Sequence, residues 1–358
     1  MGQRVVHGAL DHAELARLGL KPADLLDFSS NLNPFGPPES VRTALAQLDL
    51  APYPDRSCLA LREVLAAQHR LAPAQILPGN GANELIHLLA RALLVPGETA
   101  LVIEPTYGEY REACRLSGAR VIAWQAHAAD AFALDLPAIS ALIATERPRL
   151  TWLCAPNNPT GTAPTPGEVH ALTERCAAVG GLLVADRAYA AFLRSAHATP
   201  LDQPLPPNLL QLHSLTKSYA LAGLRLGYLL GTPELVERVA AFQPAWSVSS
   251  VAQAAGLAVL ADPDFLPTTL PRLWAASDEL LAGLRALGLT VWRSALPFLL
   301  VHVGDAAATR TVLLARGCVV RDGTSFGLPT WVRVAPGQPE ANARLLAGWR
   351  KSVTSCDG

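Results

Sequence analysis

Only three lysines occur in this 358-residue chain, at positions 21, 217 and 351, and the other 26 of its 29 basic residues are arginine. Arginine cannot lose its proton at ordinary pH, so it supplies positive charge but no amine nucleophile. Lys217 lies mid-chain in HSLTKSYALAGLRLGYLL (213–230), between apolar segments, whereas Lys21 and Lys351 lie near the ends. A lysine taken at random is a solvated surface group. This one has unusual neighbours: Ser214 and Thr216 offer hydroxyls, and Arg225, eight positions on, offers a guanidinium that can hold a phosphate through two parallel hydrogen bonds.

Three further segments carry chemistry. In GNGANELI (79–86) glycines run into an amphipathic pattern, and free backbone amides there could cradle a phosphate at a helix N-terminus. No GK[ST] follows, so it is not a nucleotide P-loop, and taken alone it reads as a helix-entry turn. APNNPTG (155–161) places Asn158 in a turn after an apolar run, either as a ligand-binding amide or as a conformational choice. In LLVADRAY (182–189), Asp186 ends an apolar strand. A carboxylate there needs a cation or hydrogen-bond donors, which an N-cap or a protonated ring nitrogen would satisfy.

The elements that must position these groups are short apolar runs alternating with helical patterns. Strands are expected at 100–103, 119–124, 150–154, 182–186, 209–213 and 226–230, with helical spacing between them, as in Leu85, Ile86, Leu88, Leu89 and Leu93. Strands joined by crossover helices imply an α/β fold, a mostly parallel sheet covered on both faces, with ligands at the carboxyl ends of its strands. DFSSNLNPFGPP (27–38) reads as an extended arm leading to a helix. After residue 245 a long helix over 263–287, strands at 301–303, 318–320 and 331–335, and a C-terminal helix suggest a smaller α+β domain completed by the arm. The expected division is an arm at 1–38, a large domain at 39–245 and a small domain at 246–358.

Composition narrows the function classes. Half the residues are hydrophobic, 16% are charged and the net charge is −1, which favours a packed core and disfavours a nucleic-acid or membrane-surface binder. MGQRVVHGALDHAEL lacks a signal-peptide pattern, and no apolar run reaches the ~20 residues of a membrane span, so a soluble cytoplasmic protein is expected. The six cysteines (58, 114, 154, 176, 318, 356) are scattered, without CxxC or HExxH motifs, so free thiols and no metal site are expected.

Taken in this order, the four segments resemble the fold-type-I pyridoxal-phosphate enzymes, within the group containing histidinol-phosphate aminotransferase and threonine-phosphate decarboxylase. The similarity runs over nearly the whole chain, from HGALD to WVRVAPG. It implies that Lys217 carries pyridoxal phosphate as a Schiff base and later moves a proton, while Asp186 keeps the pyridine nitrogen protonated. Asn158 and Tyr189 would hydrogen-bond the ring's phenolic oxygen, and Tyr107 of PTYGEY would stack on the ring. The phosphate would rest on Ala82, Asn83, Ser214, Thr216 and Arg225. Tyr53, in YPD, resembles a tyrosine that reaches the phosphate of a neighbouring subunit, which implies a homodimer. Arg333 resembles the arginine that pairs with the substrate carboxylate. Arg187 departs from the family, which usually has Glu after the aspartate.

Two reactions share this inventory. Loss of Cα–H leads to transamination and loss of the carboxylate to decarboxylation, whichever bond stands perpendicular to the ring. The arm, with His7-Gly8 and DFSSNLNPFGPP, and the segment AWSVSSVAQAAG are more similar to threonine-phosphate decarboxylase. That resemblance makes decarboxylation the first expectation, with His7 and Arg321 meeting the substrate phosphate. Ala9, in place of a second glycine, and SFGLPTWVRVAPG depart from it, and histidinol-phosphate transamination is the alternative. A non-catalytic cofactor-binding protein is a third possibility.

Overall fold

The computed structural model describes residues 5, 7–194 and 205–353. The arm contributes β1 (Leu26–Asp27). Seven strands then build the main sheet: β2 (Ile76–Asn80), β3 (Thr99–Glu104), β4 (Arg120–Gln125), β5 (Leu150–Cys154), β6 (Leu182–Asp186), β7 (Leu209–Ser214) and β8 (Leu226–Leu230). The C-terminal part supplies β9 (Thr290–Trp292), β10 (Leu299–His302), β11 (Cys318–Val319), β12 (Arg321–Asp322) and β13 (Trp331–Val334).

The main sheet has the order β2-β8-β7-β6-β5-β3-β4. Only β8 runs against its neighbours; the other six strands point one way. Apolar side chains alternate between two buried faces. Leu101, Ile103, Leu153, Leu183 and Ala185 pack into one cluster, and Ala100, Val102, Trp152, Val184 and Leu212 into another. This two-sided burial explains why the strands read as continuous apolar runs instead of polar–apolar alternation. The helix Gly81–Leu93 covers one face with Leu85, Ile86, Leu88, Leu89 and Leu93, the stripe expected from their spacing.

All six expected strands of the main sheet are present, and one more, β2, was not anticipated. Its sequence, ILPGN, carries Pro78 and Gly79, which argue against a strand interior. The sheet order resolves the conflict, because β2 is an edge strand, where a proline's missing N–H costs little.

The smaller layer has the sheet β12-β13-β10-β9, antiparallel throughout, packed on the helices Phe265–Ala286, Ala306–Leu314 and Pro339–Val353. The strand expected at 318–320 is present as β11, which ends at Val319, and a separate short strand, β12, follows it at Arg321–Asp322. β11 pairs in parallel with β1 of the arm, while β12 joins the antiparallel sheet. Phe28 of the arm is buried in the cluster formed by Leu280, Leu299, Val332 and Trp349. The chain's beginning is thereby built into its C-terminal layer.

Among the described residues no helix is long and apolar enough to cross a membrane. Cys58, Cys114, Cys154, Cys176 and Cys318 are buried free thiols, and Cys356 lies outside the described residues.

Trp152 in β5 is fully buried, stacks on Tyr110 with ring centroids 4.9 Å apart, and donates its indole N–H to Cys114 Sγ at 3.2 Å. Trp152→Ala should therefore destabilise the chain by about 3–5 kcal/mol. A lowered denaturation midpoint in urea checks this; an unchanged midpoint would show that the site collapses around the cavity.

Candidate active site

The carboxyl ends of β3, β5, β6 and β7 converge on a cavity of about 410 Å³, a size that suits a cofactor with a small substrate. It is lined by Lys217, Asp186, Asn158, Tyr189, Tyr107, Ala82, Asn83, Ser214, Thr216, Arg225, Arg321, Arg333 and His7. These are all the site residues expected from the sequence except Tyr53. That residue lies on the surface, 80% exposed, with its ring stacked on Trp246.

Asp186 sits at the end of β6 and is buried. Its Oδ2 accepts the Tyr110 hydroxyl at 2.6 Å and its Oδ1 accepts the Ala188 amide at 2.8 Å. Burial raises its carboxyl above the usual range against the pull of those donors. Among the described residues it forms no ion pair, so it remains a buried carboxylate suited to a protonated ring nitrogen. Lys217 follows β7 in the same cavity. Burial first, then the positive charges of Arg333 and Arg225, bring its amine down to about 8, with Asp186 and Asp27 opposing. An amine in that range is available as a nucleophile near neutral pH, where an ordinary lysine is not.

The phosphate end is built from backbone. The helix Gly81–Leu93 starts here, and its first-turn amides, including those of Ala82 and Asn83, have no intrahelical acceptor. Thr216 and Ser214 flank them. Arg225, in a left-handed conformation (φ 57°), donates Nη1 to the Ala222 carbonyl at 3.2 Å. It makes no ion pair among the described residues, and its guanidinium lies against Gly81. Gly227 on β8 permits this closeness, because a Cβ there would come within 2.7 Å of the Ala82 amide nitrogen and 2.8 Å of the His213 carbonyl. First-turn amides, hydroxyls and a guanidinium together fit a phosphate dianion. With Asp186 for a ring nitrogen and Lys217 for an aldehyde, the donor set suits pyridoxal phosphate.

Two more cations line the cavity. Arg333 and Arg321 are both buried and pair across β13 and β12. Arg333 donates Nη1 to Asn158 Oδ1 and Nη2 to the Ser29 carbonyl at 2.5 Å, while its buried Nε has no hydrogen-bond partner. Arg321 donates Nη2 to Ser325 Oγ at 2.6 Å, and burial with the neighbouring Arg333 lowers it to about 10. Both guanidiniums lie over the Phe326 ring, at 4.8 and 5.9 Å from its centroid. Two buried cations side by side are tolerated where an anion joins them.

The structure also brings in residues that the sequence reading passed over. Tyr110 comes one helical turn after Tyr107, and its partnership with Asp186 was invisible at a separation of 76 positions. The arm supplies Asn31, whose Nδ2 donates to the Tyr189 hydroxyl at 3.2 Å and whose Oδ1 is buried without a partner. It also supplies Asn33, whose amide donates to the Lys217 carbonyl at 3.0 Å. The DFSSN turn sets them, with Asp27 Oδ1 accepting from the Ser29 amide and hydroxyl and Oδ2 from the Ser30 hydroxyl. Arg187, the departure from the family pattern, donates to the Ala155 carbonyl at 3.1 Å and does not line the cavity.

Gly81→Ala tests the phosphate cradle. Gly81 has φ +76°, and a Cβ would come within 2.6 Å of Arg225 Nη2, so the guanidinium must move away. Loss of that charge-assisted contact should weaken cofactor affinity roughly ten- to hundredfold. Titration of the cofactor-free protein reads it, and unchanged affinity would place the phosphate elsewhere.

Residues 23–348 match the family model described as aminotransferase class I and II. Histidinol-phosphate aminotransferase 1 of Thiobacillus denitrificans is 38% identical over 351 residues, covering 97% of this chain and 90% of its own length. The solved histidinol-phosphate aminotransferase of Sinorhizobium meliloti, in complex with pyridoxal-5'-phosphate, superposes with a TM-score of 0.85 at 25% identity, over 96% of this chain and 94% of that one. L-threonine-O-3-phosphate decarboxylase of Porphyromonas gingivalis gives a TM-score of 0.80 at 24% identity, over 91% and 99% of the two chains, a likeness of fold alone. The cavity geometry, the family match and the relatives at this identity agree: the chain belongs to the class I and II aminotransferases, the fold-type-I pyridoxal-phosphate enzymes.

Proposed function

We propose that this protein is an aminotransferase acting on histidinol phosphate or a closely related phosphorylated amino compound. One observation carries the reading: the buried Arg321–Arg333 pair, which lines the same cavity as the phosphate cradle and is separate from it in the fold. A second anion-binding wall suits an amino donor with its own phosphate, and in the other half-reaction it suits the carboxylates of a 2-oxo acid. The relatives named histidinol-phosphate aminotransferase support it at 38 and 37% identity. The expectation of threonine-phosphate decarboxylation gives way here, because the solved decarboxylase is similar only at the level of fold.

In this reading pyridoxal phosphate, when bound, supplies the electron sink for the pair released at Cα. The chain's own groups do the rest. Lys217 holds the cofactor covalently and then moves the Cα proton. Asp186, fixed by Tyr110, keeps the ring nitrogen protonated. Asn158 and Tyr189 hold the phenolic oxygen, Tyr107 covers the ring face, and Ala82, Asn83, Ser214, Thr216 and Arg225 hold the phosphate. Arg333, Arg321 and His7 orient the substrate's anionic group. We assign the active form as a homodimer, in which the exposed Tyr53 of each subunit completes the other's phosphate site. The arm, large and small domains at 1–38, 39–245 and 246–358 follow the same reading.

Two outcomes test it. Cofactor-free protein should take up pyridoxal phosphate at a rate that climbs with pH and levels off above about 8, since only the neutral amine condenses. Borohydride should then fix the cofactor on Lys217. A rate still climbing at pH 10, or an adduct mapped to Lys21 or Lys351, would remove Lys217 from this role. In a single turnover without acceptor, histidinol phosphate should convert the cofactor to its amine form, and L-threonine O-3-phosphate should release no carbon dioxide. Carbon dioxide from L-threonine O-3-phosphate, with the aldehyde form regenerated, would instead establish the decarboxylase.

A further inference from the structure

Glu109 opens the helix Glu109–Leu116 and is 7% exposed. None of the cofactor-binding groups uses it, yet both of its oxygens are engaged. His7 Nε2 lies 2.8 Å from Oε1, and His87 Nε2 lies 2.8 Å from Oε2. The two imidazoles come from different places, His7 from the arm and His87 from the helix that begins the phosphate cradle. Hydrogen bonds from His7 and His87 outweigh burial and hold the carboxyl down at about 2, so it stays ionised at any working pH.

His7 is itself part of the cavity wall, with its ring centroid 5.6 Å from that of Tyr107. The arm is seated on both sides of it. Val5 packs on Gly108, where a Cβ would come within 3.1 Å of Val5 Cγ1, and the Ala9 amide donates to Ser29 Oγ at 2.9 Å. With Nε2 committed to Glu109, the ring nitrogen left for a ligand is Nδ1.

We propose that Glu109 is a positioning residue for the substrate's phosphate: braced by His87, it fixes His7 on the cavity wall, where His7 acts with Arg321 and Arg333. The inference rests on the reading of a phosphorylated substrate and deepens it by naming what holds His7 in place. Glu109 acts through His7 and touches no reacting atom.

The experiment compares wild-type holoenzyme with Glu109→Gln, His7→Ala and the double variant. Gln keeps the shape and one acceptor oxygen but loses the charge and the second acceptor. In Glu109→Gln the KM for histidinol phosphate should rise about tenfold, the scale of one charge-assisted hydrogen bond, with kcat within about twofold and the cofactor absorption unchanged. The KM for unphosphorylated histidinol should not move. The double variant should be no worse than His7→Ala, because both changes remove one contact. Amide hydrogen exchange at residues 7–9 should quicken in Glu109→Gln.

Additive losses, a fall in kcat at constant KM, or unaltered exchange at residues 7–9 would overturn the proposal. If histidinol phosphate is not turned over, the substrate reading fails by itself. The role of Glu109 is then decided by inorganic phosphate titrated into the holoenzyme, whose affinity must fall about tenfold in Glu109→Gln. Unchanged phosphate affinity would end it.

Discussion

A carboxylate held at the end of a buried strand without an ion-pair partner among the described residues is the constraint from which the rest of this site follows. Asp186 forms no ion pair among the described residues, and burial alone would drive it neutral. The fold keeps it in place with a tyrosine hydroxyl and a backbone amide. Tyr110 can serve only because its ring lies on Trp152, which fills the core between the sheet and its helices. Packing therefore reaches the chemistry through one hydrogen bond. The complement of this held carboxylate is a protonated ring nitrogen, and the Lys217 amine, kept in the nucleophilic range by burial and then by nearby guanidiniums, stands in the same cavity.

The arm connects the two layers around that cavity. β1 pairs with β11 and Phe28 enters the C-terminal core, so the turn that follows is held at its base. From there the Ser29 carbonyl meets Arg333, Asn31 meets Tyr189, and Asn33 meets the Lys217 carbonyl and Thr269 of the long helix. Substrate-facing and cofactor-facing residues thus share supports within ten positions of sequence. Asn31 Oδ1 and Arg333 Nε remain buried without partners. Buried polar atoms are nearly always satisfied, so such atoms concentrated at one cavity mark where a ligand's polar groups belong.

Charge is distributed along the cavity with a purpose that pairwise contacts do not reveal. The same lining holds amide dipoles, hydroxyls and Arg225, the buried pair Arg321 and Arg333, and Asp186. Placing like charges next to each other costs stability, and proteins accept such costs where a bound anion offsets them. This layout explains how one cavity can take a cofactor phosphate and an anionic substrate without exchanging them. The cofactor end is shaped by the helix start and Gly227, the substrate end by side chains that lie across Phe326.

The local sequence determined a good deal of this. Strands buried on both faces must be apolar throughout, so LTWLC, LLVAD and LLQLH could be read directly, and the residues just after such strands are where a parallel sheet binds ligands. Scarcity of lysine singled out Lys217 because no arginine can replace an amine nucleophile. What stayed hidden depended on contacts between distant positions. β2 became a strand in spite of Pro78 because it lies at a sheet edge, and β11 paired with the arm and not with the antiparallel sheet that takes β12 just after it. Tyr110 reached Asp186, and His7 reached Glu109, through folding that brought together residues 76 and 102 positions apart. A residue's type and its neighbours in sequence state which chemistry it can perform. Which partner holds it, and at what charge, is set by burial and distance, and only the packed chain supplies those.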